Sequence, residues 1–212
     1  MTKTLILGAS GQIARHVAAD LSADAGIRQI LFLRDARKLH DEVPANARVV
    51  QGDVLDAEAL DGAMAGRDIV YANLTGDDID AQAEAIIAAM RRAGVKRLVF
   101  VLSLGIYDEL PDGFQQWNRR EIGEYLPPFR RAADAIEASG LAYTILRPAW
   151  LQDEDEIDYE TTEKGEVFKG TEVSRRSVAN LIALIIRDPS RHINANLGVN
   201  KPGTDGERPS FC

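Results

Sequence analysis

Short apolar runs alternate with amphipathic stretches along most of the chain. Apolar runs end near residues 7, 33, 50 and 73, and residues 96–104 form the kind of apolar strand found in the middle of a covered parallel sheet. Between these runs apolar positions recur at helical intervals, most clearly over residues 79–92. This alternation predicts an α/β fold with a doubly wound, mostly parallel sheet of about six or seven strands and helices on both faces.

Two segments interrupt the alternation. Residues 105–127 contain Pro111, Gly113 and Trp117 among mixed charges, and residues 151–170 are irregular and acidic. We interpret both as substrate-side insertions in a single domain that spans residues 1–212. We also expect a sixth strand over residues 142–148, a helix over 175–187 and a last, edge strand over 193–199.

A glycine turn joins the first strand to the first helix. In Gly8-Ala-Ser-Gly11-Gln-Ile-Ala14, Gly8 permits a tight turn, Gly11 lets a ligand approach the backbone, and Ala14 is the third small position. The first amides of such a helix have no intrahelical partner and point at one spot, where a diphosphate can bind. The alternative is an ordinary connection without a ligand. The predicted cofactor-binding residues here are Gly8, Ser10, Gly11, Gln12 and Ile13.

The end of the second strand carries positive charge. Arg34 occupies the position where a dinucleotide-binding fold contacts the adenosine ribose, and Arg37 and Lys38 follow it. Arginine there suits a 2′-phosphate, whereas an acidic residue would accept a hydrogen bond from a 2′-hydroxyl. We therefore expect Arg34 and Lys38 to bind NADP(H) in preference to NAD(H), the alternative being a solvated basic start of a helix.

Other strand ends contribute polar and turn-forming residues to the same edge of the sheet. Asp53 could accept a hydrogen bond from the adenine amino group, or it could cap the helix that begins near Ala57. Pro148 ends the sixth strand and is expected near the nicotinamide. The further predicted cofactor-binding residues are Asp53, Val54, Asn73, Leu74, Thr75 and Pro148.

Composition restricts the possible partners. The formal charge of -8 and a pI near 5.0 argue against binding nucleic acid through its phosphates. The single cysteine, Cys212, suits a reducing compartment, and the apolar runs are too short for a signal peptide or a membrane span. We expect a cytoplasmic protein with a small-molecule substrate, no metal and no membrane partner, and both a monomer and a homodimer stay open.

These motifs together resemble one family. The glycine turn, Arg34, Gly52-Asp53, Ser103 and the segment 138–148 are similar to the atypical short-chain dehydrogenase/reductases. The nearer subset is the NAD(P)H-binding group that includes flavin and biliverdin reductases and nitrogen-metabolite-repression regulators. The resemblance covers residues from about 3 to 187 and implies a Rossmann-type fold that binds a nicotinamide cofactor.

The resemblance also implies catalytic positions, and the chain departs from them in part. The active serine of that superfamily follows the fifth strand, as Ser103 does. A Tyr-x-x-x-Lys pair is expected next, but Leu126 and Arg130 occupy those positions. We consider Tyr107 and Tyr125 as proton donors and Arg130 as the cation, although Tyr107 could simply pack and Ser103 could bond to backbone.

Three functions follow from these predictions. The first is an NADPH-dependent reductase of a small carbonyl, quinone or flavin-like acceptor. The second is a regulator that senses NADP(H) without turnover, because the usual dyad is missing. The third is a sugar-nucleotide epimerase or dehydratase. His16, His40 and His192 have no nearby partner in the sequence, so we do not expect a histidine base.

Overall fold

A computed structural model describes residues 1–39 and 43–212, so His40 lies outside the described residues. The strands are β1 (Thr2–Leu7), β2 (Ile27–Leu33), β3 (Ala47–Gln51), β4 (Ile69–Ala72), β5 (Arg97–Val101), β6 (Ala142–Pro148), β7 (Trp150–Gln152), β8 (Glu160–Glu163), β9 (Glu172–Ser174) and β10 (Ala195–Asn200). In this part of the chain, eight strands form one sheet in the order β3-β2-β1-β4-β5-β6-β10-β8, and β7 pairs with β9. Neighbouring strands of the large sheet run parallel, except that β8 is antiparallel to β10.

Helices cover both faces of the large sheet, as the alternating pattern predicts. They are α1 (Gln12–Asp20), α2 (Ala57–Met64), α3 (Ile79–Ala93), α4 (Asp112–Ile122), α5 (Leu126–Glu137) and α6 (Arg175–Arg187). The buried sides of α1 and α6 share one apolar core, and those of α2, α3 and α5 share the other. The sequence therefore predicts the fold class correctly. No helix in the described ranges is long and apolar enough to cross a membrane.

A side-chain cap explains where α2 begins. Asp56 caps α2, because its Oδ1 accepts the amides of Glu58 and Ala59 at 3.1 and 3.2 Å. Asp53 is not this cap, and its Oδ1 accepts the amide of Leu55 at 3.0 Å. Its side chain therefore stays at the strand end.

The structure corrects three expectations about the less regular segments. The large sheet has eight strands rather than six or seven, because residues 160–163 of the acidic segment form β8. The last strand, β10, is not an edge strand, since it lies between β6 and β8. Residues 105–127 are not irregular throughout, because α4 begins after Pro111 and buries Phe114 in the core.

Candidate functional site

The carboxyl ends of the central strands open into a cleft of about 480 Å³. This volume lies within the range of small-molecule sites. The glycine turn after β1, the polar residues after β2, β3 and β4, and the start of α1 all face it. The cleft is therefore where an open α/β sheet is expected to bind a ligand.

The two glycine positions of the turn are too crowded for a side chain. Gly8 has φ 73°, and a Cβ there would lie 2.1 Å from the carbonyl oxygen of Asn73. A Cβ on Gly11 would lie 2.1 Å from Nδ2 of Asn73. The hydroxyl of the fully buried Tyr71 donates to Asn73 Oδ1 at 3.1 Å and so fixes this amide. The turn is thus held close to the neighbouring strand end.

The start of α1 suits an anion. Gly11 is the N-cap, no side chain bonds to the first amides, and the first turn has no acidic residue. The amide of Arg15 is the first to bond to Gly11 O, at 2.9 Å, so the preceding helix amides have no intrahelical acceptor. Gln12 and Ile13 line the cleft at this point. An anion here would meet unpaired amides and the positive end of the helix dipole.

The end of the cleft beside β2 is basic. Arg34 and Lys38 line it and are exposed. Asp35 also lines it, but Arg37 binds both carboxylate oxygens of Asp35 at 2.9 Å. These hydrogen bonds lower the pKa of Asp35, so the carboxylate is ionised and paired. Arg34 and Lys38 are therefore the exposed cations that line this end of the cleft.

The opposite end of the cleft is mostly apolar. Leu102, Phe129 and Leu151 line it beside Ser103, whose hydroxyl donates to the carbonyl oxygen of Leu104 at 3.1 Å. Arg175 also faces the cleft from the first turn of α6. The part of the cleft that follows β5 therefore offers an apolar wall and the Ser103 hydroxyl.

The structure brings many of the sequence-predicted site residues together. Those that line the cleft are Gly8, Ser10, Gly11, Gln12, Ile13, Arg34, Lys38, Asp53, Val54, Asn73, Leu74, Thr75 and Ser103. Pro148 lies at the end of β6, where it pairs with Val199, and is not among the described residues of the cleft wall. Tyr107, Tyr125 and Arg130 also lie outside that described lining.

Tyr107 lies in a separate polar cluster. Its hydroxyl donates to Glu137 Oε1 at 3.4 Å and accepts a hydrogen bond from Asn196 Nδ2 at 2.8 Å. The Cζ of Arg130 and the Nζ of Lys164 lie 4.6 and 4.4 Å from the centre of its ring. Burial and the charge of Glu137 raise the pKa of Tyr107. The geometry therefore gives no support to Tyr107 as a proton donor in the cleft.

Tyr125 and Arg130 are likewise engaged elsewhere. Tyr125 is 52% exposed in a short 3₁₀ turn, and a hydrogen bond with Glu124 raises its pKa. The Nε of Arg130 donates to Asp134 at 2.9 Å, one helical turn away. Neither side chain supplies the proton donor and cation arrangement that the resemblance implies.

Several cleft residues are missed by the sequence reasoning. The predicted helix over 175–187 places Arg175 at a helix start, and a parallel crossover puts that start at the cleft edge. Phe129 and Leu151 had no such signal, because their neighbourhood depends on tertiary packing. The residues missed are Phe32, Leu33, Asp35, Gly52, Asp78, Gln82, Val101, Leu102, Phe129, Leu151 and Arg175. Residues 1–39 and 43–212 contain no group of three or more potential ligands that could hold a metal ion.

Comparisons with known proteins identify the family. A family model for NAD(P)H-binding proteins matches residues 8–189. The chain is 35% identical over 144 residues to (4-alkanoyl-5-oxo-2,5-dihydrofuran-3-yl)methyl phosphate reductase of Streptomyces griseus, a match that covers 68% of this chain and 46% of that protein. The chain thus spans about half the length of that relative.

Solved structures agree over the whole chain. A Rossmann-fold NAD(P)-binding family protein from Shigella flexneri is 57% identical, with a TM-score of 0.88 and coverage of 100% of both chains. A short-chain dehydrogenase/reductase from Veillonella parvula, solved in complex with NADP, is 28% identical, with a TM-score of 0.90 and coverage of 99% of both chains. The resemblance noted from the motifs is confirmed, and the chain belongs to the NAD(P)H-binding family among the atypical short-chain dehydrogenase/reductases.

Proposed function

We propose that this chain is an NADPH-dependent reductase that acts on a small carbonyl, quinone or flavin-like acceptor. One observation carries the proposal: a single cleft joins a crowded glycine turn, a basic end at Arg34 and an apolar end beside Ser103. A dinucleotide needs the first two features, and a flat, weakly polar acceptor suits the third. The match to a Streptomyces reductase supports the reaction type.

Arg34 and Lys38 are the basis for the preference for NADPH. A guanidinium can form two parallel hydrogen bonds to a phosphate, which a ribose hydroxyl cannot match. Asp35 would repel the phosphate if it were unpaired, but its carboxylate is bound by Arg37. The NADP complex of the Veillonella protein supports this choice by similarity.

Different residues of the cleft bind the cofactor, contact the acceptor and stabilise the charge that develops on it. The first amides of α1 bind the diphosphate, while Leu102, Phe129 and Leu151 give the acceptor an apolar surface to pack against. Bound NADPH supplies the hydride. By rotating away from Leu104 O, the Ser103 hydroxyl can donate to an acceptor oxygen as negative charge develops there. Because no tyrosine is among the described cleft residues, we assign the accompanying proton to solvent.

The test is the oxidation of NADPH in the presence of aromatic aldehydes, quinones and flavins. We expect turnover above the blank with at least one class, and Ser103→Ala should lower kcat while leaving the affinity for NADPH unchanged. Failure of all three classes to oxidise NADPH would contradict the proposal.

Cofactor choice is tested with Arg34→Asp. Loss of a hydrogen bond to a charged group should weaken NADPH binding by about 1.5–3 kcal/mol, roughly ten- to a hundredfold. NADH should bind no more weakly than before, because an aspartate there can accept a hydrogen bond from its 2′-hydroxyl. Arg28→Asp is the matched control, because Arg28 is exposed near the start of β2, the strand that Arg34 follows, and is not in the cleft lining. Equal affinities of the parent protein for the two cofactors would contradict the assignment.

A second candidate is a regulator that binds NADP(H) without turnover. It is favoured by the sequestered hydroxyl of Tyr107 and by the ion pair that occupies Arg130. The acceptor panel separates the two functions, because rapid reduction by the purified chain alone excludes a purely sensing role.

A further inference from the structure

Arg175 is a further positively charged residue of the cleft, and it belongs neither to the glycine turn nor to the basic end at Arg34 and Lys38. It is the first residue of α6, directly after the N-cap Ser174, and it lines the cleft with its side chain 20% exposed. Its Nη1 donates to Asp153 Oδ1 at 2.8 Å. Asp153 belongs to the acidic segment that follows β7.

The fold places Arg175 beside the start of α1. Helix α6 leads into β10, which is parallel to β6, so α6 begins at the same edge of the sheet as α1. The two helices also pack together. Gln12, the first residue of α1, lines the cleft with Arg175 and also lines a neighbouring groove with Asp153.

The present partner of Arg175 is easily exchanged. Asp153 is 69% exposed, and an ion pair to a solvated carboxylate contributes little to stability. A guanidinium is weakly hydrated and presents a planar fork that matches a phosphate. A diphosphate held by the α1 amides would therefore compete well with Asp153 for the same side chain.

We propose that Arg175 leaves Asp153 and binds the diphosphate of the nicotinamide cofactor, so that the cofactor releases the acidic segment after β7. This inference rests on the proposed function only in that the chain binds such a cofactor. It does not depend on the preference for NADP(H), because NAD carries the same diphosphate. Arg175 thus adds affinity for either dinucleotide, whereas Arg34 discriminates between them.

The test compares ligands with and without a diphosphate in titration calorimetry. NADP⁺ and NAD⁺ contain the group, and 2′-AMP offers a 2′-phosphate without it. Arg175→Met should weaken both dinucleotides about tenfold or more and leave 2′-AMP unchanged, since one charge-assisted hydrogen bond is lost. Asp153→Asn should strengthen both dinucleotides severalfold by removing the competing carboxylate.

Arg176→Met is the matched control, because Arg176 is the neighbouring arginine and also binds aspartates but does not line the cleft. It should leave all three affinities unchanged, and Arg175→Lys should retain part of the dinucleotide affinity. Thermal unfolding of each variant checks that the fold is intact.

The remaining outcomes would overturn either this proposal or the proposed function. Parental affinity of Arg175→Met for the dinucleotides would overturn the proposal, as would an equal loss of 2′-AMP affinity. An Arg175→Met enzyme with unchanged dinucleotide affinity but a raised KM for an anionic acceptor would assign the residue to the acceptor and overturn the cofactor contact. If the parent protein binds no dinucleotide, the proposed function itself fails.

Discussion

Glu109 and Arg147 form an ion pair that is almost completely removed from solvent. Their side chains are 5% and 1% exposed. Glu109 also accepts the amides of Gly105 and Tyr107 at 3.0 and 2.9 Å, and the Nε of Arg147 donates to Asn196 at 2.8 Å. The pair therefore ties the loop that follows Ser103 to strands β6 and β10.

Glu109→Gln is the perturbation that isolates this pair. Glutamine keeps nearly the same shape but leaves the guanidinium of Arg147 buried without a counter-charge. Breaking a buried pair in this way costs about 3–5 kcal/mol of the free energy of unfolding. For a chain of this size, each kcal/mol shifts Tm by about 2–4 °C, so we expect Tm to fall by roughly 6–20 °C.

The neighbouring residue supplies the control. Asp108 pairs with Arg119, and these side chains are 67% and 57% exposed. Asp108→Asn should change the free energy of unfolding by less than about 1 kcal/mol, because exposed pairs contribute little and asparagine tolerates the backbone φ of 58° at this position. Urea titration and calorimetric melting measure both variants. A loss below about 1 kcal/mol for Glu109→Gln would show that the buried pair contributes little to the stability of the fold.

Three further predictions concern the cofactor end of the cleft. Arg37→Ala should leave the carboxylate of Asp35 without its partner and so weaken the binding of NADP⁺ but not of NAD⁺. Adding Asp35→Asn to the same chain should restore the affinity for NADP⁺. Titration calorimetry on the single and double variants measures both affinities. Gly11→Ala should reduce the affinity for both dinucleotides, because its Cβ would lie 2.1 Å from Asn73 Nδ2. Tyr71→Phe should lower the free energy of unfolding by about 1 kcal/mol, measured in urea, since it removes the buried bond to Asn73.

Local sequence signals predict the fold and the part of the cleft that carries the glycine turn and Arg34. The spacing from Gly8 to Ala14 specifies a turn whose crowding the structure explains, and parallel strands bring Arg34 and Asn73 to the same edge. Gly8, Arg34 and Asn73 each directly follow a strand with an unambiguous apolar pattern. The alternation of elements was therefore enough to predict where the cleft lies.

The remaining features depend on contacts between distant parts of the chain. Strand β8 exists because residues 160–163 pair with β10, and its short, polar sequence carries no strand pattern. The placement of Tyr107 is set by Glu137 and Asn196, which lie 30 and 89 positions away. Arg175 stands at a predicted helix start, but its contact with the cleft depends on the packing of α6 against α1. No short-range spacing encodes such contacts.

Titration calorimetry of the purified chain with NADPH and NADH is the decisive measurement of cofactor binding and choice. We expect both cofactors to bind in the cleft, with NADPH tighter by roughly ten- to a hundredfold, and Arg34→Asp to remove this difference. No heat of binding with either reduced cofactor, or equal affinities for the two, would contradict this expectation.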